Sequence, residues 1–178
     1  SEVEKLLEEV RELTKRHKEE LRRLNKEMEK ATRDHLRKSK KLNDEAREMV
    51  RRVEELVKNN GDKDTILKTI EDVLRELEKR HKELLDTNRE LLDRLRKEHD
   101  RLLKHNREVI EDVKRRLDET ERAARVKEEL DKLHKDLERE VRESKRTLKE
   151  LHDRLRKAVE ESKEHLKRLL DELRKKVK

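Results

Sequence analysis

Apolar residues recur at steps of three and four along almost the whole chain. In the first segment they fall at Val3, Leu6, Leu7, Val10, Leu13, Leu21, Leu24 and Met28 and continue to Val57. That spacing marks one face of an α-helix. A slower rhythm lies beneath it: Leu6, Leu24 and Leu42 stand 18 residues apart, as do Ile66, Leu84 and Leu102, and then Leu130, Leu148 and Leu166. Eighteen residues make five turns at about 3.6 residues per turn, so the pattern asks for nearly straight helices, whereas a strict heptad imposes a left-handed supercoil. In the first two segments about seven columns in each period are core-like, the broad face of a helix packed in a bundle.

The pattern breaks twice. Asn59-Asn60-Gly61-Asp62 is a clear stop, with Gly61 or Asn60 available for a left-handed cap and Asp62 or Asp64 for the next N-cap. The second break has no glycine; it is placed near Asp118–Arg125, where the core columns slip by one residue. A one-residue slip turns a helix face by about 100°, so an unbroken helix would lose its core there. Ser1 with Glu4 fits a capping box. The fold expected is all-α: an antiparallel three-helix bundle of long, nearly straight helices, forming a single domain over 1–178. Helix 1 is expected at about 2–58, a loop at 59–63, helix 2 at about 64–118, a loop at 119–125 and helix 3 at about 126–178.

Polar residues occupy columns that should be buried. When the first two segments fold about Gly61, facing residues have numbers summing to about 123. His17 then meets Asn106, Asn25 meets His99, His35 meets Asn88 and Asn43 meets His81. A neutral imidazole offers one donor and one acceptor, and a carboxamide supplies both complements. Folding the third segment back, with a sum near 246, sets Thr147 beside His99 and His165 beside His81. Thr14 and Thr32 fall within about a turn of His134 and His152, and Ser39 near Ser162, which shares a column with Ser144. His134 and His152 sit at the edge of the apolar face, and His105 and His165 just outside it. Such polar layers specify register and pairing. Histidine adds titration near pH 6.5. Burial lowers an imidazole pKa, so its stabilising contribution is expected above that pH and lost as the pH falls.

Composition narrows the chemistry. The chain has 178 residues, 54 Lys and Arg against 47 Asp and Glu, one glycine, and no cysteine, proline or aromatic. That excludes a disulfide framework, a thiolate zinc site, a cysteine nucleophile and a Gly-rich phosphate loop. Charges of both signs are interspersed, as on a solvated helix surface. Neither an aromatic platform nor a duplex-reading motif points to nucleic acid, and no stretch reads as a membrane span or signal-peptide core. Only Glu78 to His81 matches a Glu-x-x-His motif, and Glu78 lies off the apolar face. The expectation is therefore no enzyme, no cofactor and no metal site.

The 18-residue repeat, the four His/Asn pairs, the aromatic-free Glu/Lys/Arg/Leu composition and the single Gly loop resemble a de novo designed helical bundle. More narrowly, the chain resembles designed pH-responsive helical oligomers built around buried histidine hydrogen-bond networks. The resemblance implies assembly at neutral pH, disassembly in acid and, in some members, acid-triggered membrane disruption. No targeting signal is read in the sequence, so localisation is left unknown, with a soluble chain from recombinant cytoplasmic expression expected. A third long segment departs from the hairpin form of that class. The function expected is a structural bundle whose polar layers specify pairing and break on acidification. Its partners are its own helices or further copies in a symmetric homo-oligomer; it is expected to meet no nucleic acid, and no membrane at neutral pH. The alternative is a pH-insensitive helical scaffold or protein-binding module.

Overall fold

The computed structural model describes residues 1–177. Three helices, α1 (Glu2–Lys58), α2 (Lys63–Arg116) and α3 (Glu121–Val177), form an antiparallel three-helix bundle, and no strand occurs among the described residues.

Each helix end has a local chemical cause. The Ser1 hydroxyl accepts from Glu4 N at 3.4 Å, with Glu2 and Glu4 in the positive first turn of α1. At the far end Asn60 takes the left-handed conformation, φ 51°. Gly61 N donates to Leu56 O at 2.8 Å and Asn60 N to Val57 O at 3.3 Å, the paired bonds of a Schellman cap with asparagine at its left-handed position. Gly61 suits the close approach: a Cβ there would stand 3.1 Å from Leu56 O, a tight contact that the turn would have to relax to admit. Asp62 then caps α2, its carboxylate accepting from Thr65 N at 3.2 Å and Thr65 Oγ1 at 2.8 Å. Thr120 caps α3, its hydroxyl accepting from Ala123 N at 3.1 Å while donating to Asp118 at 2.8 Å.

The second turn differs from the sequence expectation. It covers residues 117–120, and α3 begins at Glu121, about one turn earlier than the expected start near 126. The Thr120 cap fixes that start. Burial of Ala123 and Val126 against Leu7, Val10, Ile110 and Val113 holds the first turns of α3 in place. The phase slip that suggested a longer loop is absorbed within these four residues.

The chain divides into two compact units. Unit 1 comprises Ser1–Glu29 and Leu91–Glu150; unit 2 comprises Lys30–Glu90 and the chain from Leu151 onward. In unit 1 the apolar cluster at the 117–120 turn is followed by a smaller one of Leu21, Leu137 and Val141. Unit 2 has a large cluster around Val50, Val53, Ile66, Ile70, Leu166 and Leu170, and a smaller one of Leu84, Leu155 and Val159. Outside these cores, charged side chains clasp neighbouring helices. Arg11 meets Glu129 at 2.7 Å and Lys18 meets Asp136 at 2.5 Å in unit 1; Arg80 meets Glu45 at 3.1 Å in unit 2. Such exposed pairs contribute about 0–1 kcal/mol each. The burial of leucine, isoleucine and valine, at about 1.5–3 kcal/mol per side chain, holds the helices together.

Candidate functional site

Polar layers lie among the leucines, and each is built by side chains from more than one helix. In unit 1, Asn106 on α2 is fully buried. Its Nδ2 donates to Thr14 Oγ1 at 3.0 Å and to His17 Nδ1 at 3.3 Å, and its Oδ1 accepts from His134 Nδ1 at 3.0 Å. One amide therefore joins imidazoles from α1 and α3. In unit 2 the same arrangement recurs 18 residues along each helix. Asn88 donates to Thr32 at 3.4 Å and His35 Nδ1 at 2.9 Å, and accepts from His152 Nδ1 at 2.7 Å. The bonds assign the protons: Nδ1 is the lone-pair nitrogen in His17 and His35 and carries hydrogen in His134 and His152.

The other two layers differ from the direct pairs expected. His99 turns its Nδ1–H to its own helix, donating to Leu95 O at 2.7 Å. Its Nε2 accepts from the Ser144 hydroxyl at 2.5 Å, and Ser144 accepts from Asn25 Nδ2. Asn25 thus reaches His99 through a serine on α3, and its Nδ2 also donates to Leu21 O at 3.1 Å. In unit 2, His81 likewise donates from Nδ1 to Leu77 O at 2.8 Å, but its buried Nε2 and the Oδ1 of Asn43 have no hydrogen-bond partner. Ser162 is only half-buried there, whereas Ser144 is buried.

The register of α3 explains the remaining departures. The bonded α2–α3 residues have numbers summing to about 240–243 rather than 246, because the second turn comes earlier. His134 and His152, expected at the edge of the face, are buried and bond the asparagines. Thr14 and Thr32 bond the same amides rather than these rings. Thr147, expected beside His99, is exposed and donates to Glu143 O of its own helix at 3.1 Å. His165, expected beside His81, is exposed. Ser39 is buried, but it is not a partner of the Asn88 amide or the His81 ring.

Four participants were not expected from the sequence. The carbonyls of Leu77 and Leu95 take the Nδ1–H of His81 and His99; any helical histidine has such a carbonyl four residues back, so no residue type signals it. Arg107 Nε donates to His134 Nε2 at 3.4 Å, and Glu138 Oε1 lies 3.2 Å from the same nitrogen. The spacing of Glu138, four residues after His134, was the available signal.

Burial is the first cause that pushes the imidazoles of His17, His35, His81, His99 and His134 below their ordinary value of 6.5. The charges facing each ring act next. His105 and Arg16 push His17 further down. Lys38 lowers His35 and Asp34 opposes it. The Leu77 bond raises His81 and Lys163 lowers it. For His99 the Leu95 bond, Asp100 and Glu98 oppose burial, while Lys145 adds to it. For His134, Glu138, Asp131 and Glu111 oppose burial, and Arg107 adds to it.

The chain is similar to a solved structure described as a computationally designed three helix bundle, with 22% identity and a TM-score of 0.50, covering 99% of this chain and 89% of that one. The likeness bears on the fold. No protein-family model and no curated protein matches the chain.

Proposed function

We propose that the protein is a structural bundle of designed origin, a scaffold rather than an enzyme, whose polar layers specify helix pairing at neutral pH and fail in acid. The carrying observation is the buried Asn88 amide between two imidazoles, donating to His35 and accepting from His152. This wiring works only while both rings are neutral. Protonating His35 puts a hydrogen on the nitrogen that faces the amide NH2. Turning the amide over satisfies His35 but sets its NH2 against the Nδ1–H of His152. A buried polar group left unmatched costs about 1–3 kcal/mol.

The sign follows from the lowered pKa values of His35, His81 and His99. A folded-state pKa below the unfolded one means that the contribution is fully present above about 6.5 and lost as the pH drops toward the folded value. The layers then give way together, because each ring shares its helices with the next. The partners on this reading are the helices themselves and further copies of the chain. Below the transition, apolar faces beside Lys, Arg and protonated His become available to anionic membranes.

Circular dichroism and sedimentation between pH 7.5 and 4 test the reading. A cooperative loss of helix or of assembly below pH 6.5 is expected. Replacing His35, His81 and His99 with asparagine should move that transition to lower pH while neutral helicity persists. A chain whose signal and mass stay constant to pH 4 is a pH-insensitive scaffold, and the proposal fails.

A further inference from the structure

We propose that the outer face of α3 in unit 1 is a docking strip for a flexible linear polyphosphate, a chain with a negative charge on every link. Six cations mark it: Lys132, Lys135, Arg139, Arg142, Arg146 and Lys149, all of them exposed. Their steps of three and four residues keep them within an arc of about 100° on the helix. At 1.5 Å per residue the row is about 26 Å long, with a cation about every 5 Å. The 18-residue repeat that copies the core does not copy this strip. One period on, the same columns hold Glu150, Asp153, Lys157, Glu160, Glu164 and Lys167, so the row of cations gives way to four carboxylates and two lysines.

The carboxylates of this part of α3 are turned to its neighbours. Glu129 and Asp136 pair with Arg11 and Lys18 of α1, Asp131 pairs with Lys114 of α2, and Glu138 stands at His134 beside Arg107. Of the six cations only Arg139 is in an ion pair, with Asp136, among the described residues. Glu128, Glu143 and Glu150 border the strip and lower its potential without closing on any of its cations. Five charged heads are therefore free to meet an anion. Beside them runs an open groove of about 620 Å³, walled by Lys132, Lys135, Arg139 and Arg142 on α3 and by Arg11 on α1.

What the strip has and what it lacks define the ligand. Arg139, Arg142 and Arg146 occupy its middle, and a guanidinium fork takes phosphate oxygens two at a time; the lysines towards its ends act as point charges. The chain has no aromatic residue to stack on a base or to anchor in a bilayer. The cations follow one helix axis in single file, whereas the phosphates of a duplex wind about an axis of their own and leave such a row after a few contacts. A flexible chain of phosphates can follow the row from end to end.

The test is fluorescence anisotropy of the full chain with labelled medium-chain inorganic polyphosphate at pH 7.5 across a salt series. Neutralising about six phosphates predicts a slope of log K against log salt of about −4. The triple variant Lys135→Gln, Arg142→Gln, Arg146→Gln should bind at least about tenfold more weakly, with the slope shallower by about 2 and the circular dichroism unchanged. The triple variant Arg154→Gln, Lys157→Gln, Lys167→Gln removes the same net charge from exposed positions of unit 2. It should bind within about twofold of the parent. The proposal is overturned if the parent does not bind at about 0.1 M salt, or if both triple variants weaken binding alike, which makes net charge the cause. It is also overturned if duplex DNA or phosphatidylserine vesicles bind more tightly than polyphosphate through the same residues. No outcome depends on the acid response.

Discussion

Unit 1 and unit 2 carry near-copies of one polar plan, and they execute it unequally. The asparagine-centred layer is reproduced bond for bond: Thr14, His17, Asn106 and His134 in unit 1, and Thr32, His35, Asn88 and His152 in unit 2. The serine layer is not. Ser144 is buried and joins Asn25 to His99, leaving Asn25 Oδ1 without a donor, whereas Ser162 is half-buried and both Asn43 Oδ1 and His81 Nε2 go without one. Around the asparagine layer the surroundings differ too. Four residues after His134 stands Glu138, and four residues after His152 stands Arg156, which pairs with Asp153 and Glu160. A sequence repeat copies chemistry dependably where a fully buried amide makes the connections. It copies it poorly where a short hydroxyl must reach across a helix gap.

Removing each amide should break this comparison most sharply. Asn88→Ala removes the amide that two buried rings bond, and a loss of about 3–5 kcal/mol is expected in urea denaturation at pH 7.5. Asn106→Ala should lose a similar amount, because Arg107 meets Nε2 of His134 and leaves the Nδ1–H that Asn106 accepts without a replacement. Next come the serines. Ser144→Ala strips the donor from His99 and the acceptor from Asn25, costing about 2 kcal/mol. Ser162→Ala should change stability by less than about 0.5 kcal/mol; equal losses from the two would show that the serine layers are equivalent. The turns follow: Asn60→Ala in the left-handed cap and Thr120→Ala at the α3 N-cap should each cost about 1 kcal/mol in thermal or urea unfolding.

The smallest effect bears on titration. Glu138 opposes the lowering of His134, so Glu138→Gln should push the His134 pKa further down in an NMR titration. A wider gap between folded and unfolded pKa means more stability lost in acid. The variant should match the parent at pH 7.5 and fall a few tenths of a kcal/mol below it by pH 5.

Much of this was readable from residues alone, and the limit has a physical location. His17 with Asn106 and His35 with Asn88 followed from Gly61, because a tight glycine turn fixes the register of the helices it joins. The α3 partners did not, because Asp118-Glu119-Thr120 carries no residue that demands a turn, and the start of α3 rests on a threonine cap and on the burial of Ala123. An error of one turn there exchanged Ser144 for Thr147. The direct Asn25–His99 and Asn43–His81 bonds failed for another reason. An imidazole on a helix can bond its own backbone, which swings the ring along the helix axis, and periodicity carries no trace of that choice.

The Asn60–Gly61 turn has a chemical consequence beyond geometry. An asparagine followed by glycine is the linkage most prone to deamidation, because the unhindered glycine nitrogen can attack the side-chain amide and close a succinimide. Here that nitrogen is committed to Leu56 O at 2.8 Å. Ring closure must wait for the turn to open, so the ageing of this linkage, as isoaspartate, records how often the end of α1 comes undone.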